Sequence, residues 1–384
     1  MNPKPHYLIL GGGFGGLYTA LQLEKELEKR DDFEVTLINQ DNFFLFTPML
    51  HEVASAEQEL TNIVSPFRKF FKRVKFYSCE VEKIDLEKHE VFVSHGYDYH
   101  QHRMTYDHLI LALGAVTNFF NLPGLQENSL SMKTLEDAVK LRNQIISHLE
   151  EADSEFSDRH QSPLLTFVIA GGGFAGVETI GSINDLVRSI LPYYPRINPK
   201  LVRFVLVHPG DVILPELGPD LGHYAAKILS ERGVEIILKT RVQGATPQDV
   251  TLSDGTVIPC NTLIWTAGTS AHPLLATLPV EKEKGRIKVG ADMKSSHPNL
   301  WALGDCAWIP DQDGNPYPPT AQHASRQGTI LAQNLLNSRD HKPLQPFRYK
   351  TMGLLASIGH HTGVAQIMGF QFSGIIAWFL WRTI

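Results

Sequence analysis

Tyr7-Leu-Ile-Leu-Gly-Gly-Gly-Phe-Gly-Gly16 and Phe167-Val-Ile-Ala-Gly-Gly-Gly-Phe-Ala-Gly176 are two copies of one pattern, set 160 positions apart. Each is an apolar strand that runs into a GxGxxG turn, with Gly11, Gly13 and Gly16 in the first copy and Gly171, Gly173 and Gly176 in the second. The spacing has a mechanical reason. The first glycine permits the tight turn, the second lets the backbone approach a pyrophosphate, and the third lets the following helix pack closely on the strand. That helix then directs its N-terminal amides at the phosphates.

A lone GxGxxG is weak evidence, since glycine clusters also mark ordinary turns. Here the context repeats as well. A second strand follows each motif, Glu34-Val-Thr-Leu-Ile-Asn39 and Arg203-Phe-Val-Leu-Val-His208, and then a third element, Leu109-Ile-Leu-Ala-Leu-Gly114 and Leu263-Ile-Trp-Thr-Ala-Gly268. Three elements recurring in one order form an internal repeat. The chain is therefore expected to be α/β, with two Rossmann-like dinucleotide-binding domains and two bound nucleotides.

A length of 384 residues accommodates two or three domains, and 20% charged with 43% hydrophobic residues is the balance of a folded globular chain. A formal charge of -6 argues against nucleic acid as a partner. The run Arg68-Lys-Phe-Phe-Lys-Arg-Val-Lys75 is the exception in this charge balance. It suits either a polyanion or the solvated side of an amphipathic helix that leads into a strand, and the second reading is preferred. Cys79, Cys260 and Cys306 are far apart and form no CxxC, so small buried thiols in a reducing compartment are expected. Because Tyr7 to Leu10 is already the strand that the first motif needs, no separate targeting segment is read at the N-terminus, and the body of the protein is expected in the cytoplasm.

The first helix carries Leu17, Ala20, Leu21, Leu23 and Leu27 as a helical stripe. Asn42 to Leu50 is apolar but contains Pro48, so it reads as a loop lining something rather than as a central strand. Strands are expected around residues 75–77 and 90–94, and a helix over 134–152. Prolines in Leu191-Pro-Tyr-Tyr-Pro-Arg-Ile-Asn-Pro199 stop the helix before them. Leu300-Trp-Ala-Leu-Gly-Asp305, followed by a helix starting near Thr320, fits a return of the chain to the first domain. The segment Gln366 to Ile384 is largely apolar, with Arg382 its one charge, yet polar residues and glycines interrupt it too often for a membrane span. Trp378, Trp381 and Arg382 read as an interfacial edge, with docking on the core or a dimer contact as the plainer alternatives.

With both glycine motifs, Phe44-Leu-Phe-Thr-Pro48, Leu303-Gly-Asp305, Thr320-Ala-Gln-His-Ala324 and the Phe347-to-Gly359 block in view, the chain resembles the type II NADH:quinone oxidoreductases. These are single-subunit alternative NADH dehydrogenases of the two-dinucleotide-binding flavoprotein superfamily. The resemblance covers nearly the whole chain. It implies an FAD/NAD(P)-linked reductase fold with an FAD-binding domain in 1–133 and 272–345, an NAD(P)-binding domain in 134–271, and a quinone- and membrane-proximal region in 346–384. It implies hydride transfer from NADH or NADPH to FAD and delivery of two electrons to a membrane quinone, without proton pumping. It also implies peripheral attachment at the cytoplasmic face of a membrane and allows a homodimer.

By the same resemblance, Gly11, Gly13, Gly16, Asn39, Thr47, Gly114, Asp305 and Ala321 contact FAD. Gly171, Gly173, Gly176, His208 and Gly268 contact the nicotinamide cofactor. Glu178 matches a glutamate beside nicotinamide and flavin, and Gln322 matches the glutamine where the quinone ring meets the flavin. Read without the resemblance, Glu178 is a helix-surface carboxylate and Gln322 a helix N-terminal amide. No metal is implied, and His360-His361 reads as a surface pair.

Three positions depart from the family pattern. Asn39 stands where an acid would meet the adenosine ribose, and it can still accept a hydrogen bond. His208 stands where NADH-preferring relatives carry glutamate; an imidazole does not repel a ribose 2′-phosphate, so NADPH is expected to be accepted. Met352 replaces a lysine or histidine of the quinone pocket, and a thioether cannot deliver a proton, which leaves Lys350 or water for that role. The last two changes suit NADPH-dependent prenylnaphthoquinone reductases of the demethylphylloquinone type. A sulfide:quinone or disulfide reductase is disfavoured by the cysteine placement, whereas a ferredoxin reductase or a non-turnover flavin redox sensor stays open.

Overall fold

The computed structural model describes residues 4–96 and 99–383 and divides the chain into two units. The first gathers Met1–Leu45, Val64–Val116 and Ser270–Thr351; the second gathers Phe46–Ile63, Thr117–Thr269 and Met352–Ile384.

The first unit is organised on a five-stranded parallel sheet, in the order Leu300–Ala302, His108–Leu111, His6–Leu10, Glu34–Asn39 and Lys75–Ser78. Tyr7, Leu8, Ile9 and Leu10 are all fully buried, as a central parallel strand covered on both faces requires. Each such aliphatic side chain contributes about 1.5–3 kcal/mol by leaving water. The Phe14–Leu27 and Ala321–Arg339 helices meet at two glycines: a Cβ on Gly328 would lie 2.6 Å from the Gly15 carbonyl oxygen. The Leu300–Ala302 strand returns the chain to this sheet, as the Leu303-Gly-Asp305 stretch suggested.

The second unit repeats the arrangement with four parallel strands, in the order Val234–Ile237, Arg203–Val207, Thr166–Ala170 and Thr262–Trp265. The Leu135–Ser154 helix starts at a capping box, in which the Thr134 hydroxyl and the Asp137 carboxylate satisfy each other's backbone amides. A three-stranded antiparallel sheet, Gly353–Ser357, Gly363–Ile367 and Phe370–Gly374, precedes the final helix Ile375–Thr383. Gly363 allows that helix to sit close, since a Cβ there would lie 2.9 Å from the Trp378 nitrogen.

Several expectations need correction. Residues 117–133 were expected with the first domain, but they belong to the second unit because Leu130 joins its sheet edge: Leu130 N–H donates to Leu263 O and Trp265 N–H to Leu130 O. Residues 46–63 join the second unit as well, where the buried helix Leu50–Ala54 packs. The basic run forms no amphipathic helix. It is a 3-10 turn, Phe67–Lys69, leading to the Lys75–Ser78 strand. The buried Glu24 carboxylate accepts the backbone N–H groups of Lys72, Arg73 and Val74, which replaces helical bonding there. The C-terminal segment divides into a strand and a short helix, and no helix among the described residues is long and apolar enough to cross a membrane.

Candidate functional site

Both glycine motifs close as the sequence predicts. Gly11 and Gly171 have φ of +104° and +118°, and Cβ atoms there would meet Ala112 O at 2.3 Å and Thr266 Oγ1 at 2.7 Å. Only glycine fits. At Gly16 and Gly176 a Cβ would lie 1.8 Å from the carbonyl oxygens of Gly11 and Gly171, so the helix rests directly on the turn. Gly13 and Gly173 differ: nothing lies within 4 Å of a Cβ at either. That open space stands at the N-terminus of a helix with no side-chain cap and no acidic residue in its first turn. A pyrophosphate fits both places, and the helix amides and dipole would hold it.

The residues ending the second strand of each unit act alike. Asn39 Oδ1 accepts the Gly12 N–H at 2.8 Å, and His208 Nδ1 accepts the Gly172 N–H at 3.0 Å. Burial pushes the His208 imidazole below its ordinary pKa, so the ring is neutral and its proton sits on Nε2. In the first unit, Leu303 packs on Gly15, and Gly304, at φ +68°, turns the chain into Asp305. The Gly304 N–H is held by Gln327 Oε1 at 2.9 Å, and Asp305 lines a crevice with Thr320, His323 and Gln327. Gly114, at φ +68°, has open space at its Cβ position, and Ala321 is half-buried at the start of its helix. Gly268 has the Phe120 ring 2.7 Å from its Cβ position. Thr47 belongs to the second unit, whereas the first glycine motif belongs to the first.

Glu178 is a buried residue of the second unit and not a helix-surface carboxylate. It lies two residues past Gly176, on the Phe174–Ile190 helix. Its Oε1 accepts the Ser357 N–H at 3.3 Å, and the Trp381 side chain also bonds to it. Burial pushes its carboxyl up to about 8, so it is protonated at neutral pH. His51 Nε2 stands 4.0 Å from Glu178 Oε2, too far for a hydrogen bond, and has no hydrogen-bond partner among the described residues. Its Nδ1 is 3.0 Å from Ser182 Oγ, and burial drops the imidazole to about 4. The two residues are thus a neutral acid beside a neutral base, and not an ion pair. The turn after Ser357 is fastened by Arg232, which donates to Ile358 O at 3.0 Å, to His360 O at 2.8 Å and to the Asp185 carboxylate at 3.1 Å.

Gln322 opens the Ala321–Arg339 helix behind its Thr320 cap. The Tyr349 hydroxyl donates to Gln322 Oε1 at 3.0 Å, the Arg326 guanidinium lies 4.3 Å from the Tyr349 ring centroid, and Arg326 Nη1 donates to Gln322 O at 3.0 Å. Sequence reasoning did not find His51, Tyr349, Arg326 or Gln327. Gln327, five residues after Gln322, and the His-Glu pair at 51–52 were the available signals. In the C-terminal helix, Trp381 bonds to Glu178 and the exposed Arg382 donates to Glu52 Oε1 at 2.6 Å, while Ile375, Ile376 and Phe379 face outward. His360 and His361 are exposed, and among the described residues no three His, Cys, Asp or Glu side chains gather to hold a metal.

Residues 5–328 match the family model described as pyridine nucleotide-disulphide oxidoreductase. The chain is 33% identical to demethylphylloquinone reductase NdbB of Synechocystis sp. over 97% of its own length and 89% of the relative. It is 32% identical to the type II NADH:quinone oxidoreductase Ndh of Mycobacterium tuberculosis over 100% of its own length and 84% of the relative. Its fold is that of NDH2 from Plasmodium falciparum, solved in complex with NADH, with a TM-score of 0.91 at 20% identity over 99% of this chain and 94% of that one.

Proposed function

The chain belongs to the type II NAD(P)H:quinone oxidoreductases of the pyridine nucleotide-disulphide oxidoreductase family, and from that premise we propose that it is an FAD-dependent enzyme carrying reducing equivalents from NAD(P)H to a membrane quinone without proton pumping. The observation that carries this reading is the pair of glycine cradles, one in each unit, each with an uncapped helix end facing open space. Bound FAD supplies the exchange between a hydride donor and a quinone.

On this reading Gly11, Gly13, Gly16, Asn39 and Asp305 hold FAD, and Gly171, Gly173, Gly176 and His208 hold the dinucleotide donor. Quinone reduction by NAD(P)H consumes one proton beyond the hydride, and Glu178 holds one on its carboxyl at neutral pH. Met352, which is 56% exposed, offers none. The cysteines stay out of the chemistry. All three are buried and free, and burial pushes the Cys260 thiol to about 12 and the Cys306 thiol to about 11, so neither is a thiolate nucleophile.

Met368, Phe370, Ile375, Ile376 and Phe379 are apolar and mostly uncovered, the composition of a surface that enters a lipid interface. We place the enzyme peripherally at the cytoplasmic face of a membrane, where its quinone is dissolved.

The test is an anaerobic titration. Added NAD(P)H should bleach the flavin absorbance, and a short-chain quinone should restore it through many turnovers. A flavin that stays reduced in the presence of quinone would overturn the reading. NADPH should be accepted because His208 brings no negative charge against a 2′-phosphate. His208→Glu should shift the ratio of kcat/KM values toward NADH by about tenfold or more, the scale of one like-charge contact. A strong wild-type preference for NADH would refute the assignment.

A further inference from the structure

His95, His100 and His102 meet at one end of a hairpin in the first unit, outside the residues assigned to either nucleotide. The strands Glu90–His95 and His100–Thr105 pair antiparallel, with His95 opposite His100 and Val93 opposite His102. Side chains alternate along a strand, so all three rings fall on one face. Val91 and Val93 occupy the same face and are buried in the core of the unit, which fixes the base of the hairpin beneath the exposed rings. Arg103 lies on the opposite face, where it pairs with Glu90 at 3.1 Å, and brings no charge to the histidines.

The imidazoles lie against one another. His95 Nε2 is 2.8 Å from His102 Nε2 with the two rings 6° from parallel, and the His100 ring centroid is 4.7 Å from that of His102. An N–H···N bond of this kind needs one donor and one acceptor, so at least one of the paired rings is neutral. A ring nitrogen that accepts a proton is equally a metal ligand, and imidazole suits copper, nickel and zinc. The spacing bears on which ion. Two ligands about 2.0 Å from one ion stand about 2.8 Å apart at a right angle and about 3.3 Å apart at the tetrahedral angle. The observed separation is that of neighbouring corners of a square-planar or tetragonal site, the geometry of Cu(II) and Ni(II).

We propose that His95 and His102 form a surface site for a divalent transition-metal ion of tetragonal preference, Cu(II) before Ni(II). The exposed rings turn about their broad χ2 torsions to aim both lone pairs at the ion, which takes the place of the shared proton and releases it to solvent. Among the described residues no three His, Cys, Asp or Glu side chains gather on one ion, so water completes the coordination. The site uses no residue of the glycine cradles and is independent of the quinone-reducing reading.

In a non-coordinating buffer, calorimetric titration of the FAD-loaded protein should show Cu(II) binding, with Ni(II) weaker in keeping with the divalent affinity order. Frozen samples should give a tetragonal Cu(II) paramagnetic resonance spectrum split by two nitrogens. His95→Ala and His102→Ala should each weaken the binding by at least about tenfold, since loss of even a supporting contact to a metal ligand costs that much, and should remove the two-nitrogen splitting. The metal-free variants should melt within about 2 °C of wild type, because both side chains are exposed, which separates a lost ligand from a lost fold. His360→Ala, in the other exposed histidine pair, should leave affinity and spectrum as in wild type. Absence of Cu(II) binding, a spectrum unchanged in the His95→Ala, His102→Ala double variant, or an equal loss in His360→Ala would overturn the proposal.

Discussion

Glu178 and His51 show how burial favours the neutral form of an acid and of a base, moving their titrations in opposite directions. An acid at about 8 in the folded chain and at its ordinary value near 4.5 when unfolded binds an extra proton in the native state. Its contribution to stability is therefore complete below pH 4.5 and is lost as pH rises toward 8. His51 works in the opposite sense. With a folded value of about 4 against an ordinary 6.5, it costs stability as pH falls from 6.5 toward 4. The two slopes oppose each other between 4.5 and 6.5, leaving Glu178 to govern the decline from 6.5 to 8. Glu178→Gln should flatten that decline, read as the difference between denaturant midpoints at pH 6.5 and pH 8. A decline equal to that of wild type would show that another group carries the titration. The same variant should lower turnover with quinone by about 100-fold, the scale of general acid catalysis, in steady-state assays at pH 7.

At the scale of the βα turn, glycines of one motif divide into those the fold needs and those a ligand would need. Gly173 has extended backbone geometry, φ -79° and ψ -172°, and open space at its Cβ position. Gly173→Ala should leave the thermal midpoint within about 2 °C of wild type, yet weaken NAD(P)H binding by about tenfold or more, because the methyl group occupies the place of the pyrophosphate. Gly176→Ala should do the reverse in order of severity. Its Cβ would overlap the Gly171 carbonyl oxygen, and overpacking of that kind costs about 1–3 kcal/mol or more before any ligand is considered. Melting curves set beside cofactor titrations separate the two, and tight binding by Gly173→Ala would sink the cradle assignment. These turns were legible in the sequence because their cause is local: a strand, a turn and a helix within ten residues. The 3-10 turn at Phe67–Lys69 was not legible, because a carboxylate from the first helix, Glu24, bonds the backbone that follows it.

At the scale of the whole molecule, the repeated pattern yields two parallel sheets with their own cores, and the C-terminal residues of the second unit include the exposed apolar side chains Met368, Phe370, Ile375, Ile376 and Phe379. Ile376→Glu with Phe379→Glu should abolish most co-sedimentation with anionic lipid vesicles and raise KM for a long-tailed quinone about tenfold. Kinetics with a short-chain quinone should change by less than about twofold, since both side chains are more than 60% exposed and support little of the fold. Retained vesicle binding would place the membrane contact elsewhere. By itself the sequence determined the α/β class, the two nucleotide cradles and the return of the chain to the first sheet, since each follows from strand pattern and glycine spacing over short stretches. Only the tertiary structure decided that Glu178 is a buried acid, that Trp381 bonds to it, and that the exposed Arg382 reaches the Glu52 carboxylate. Those properties depend on groups brought together from distant positions, and on the water their packing excludes, neither of which a local pattern of residues encodes.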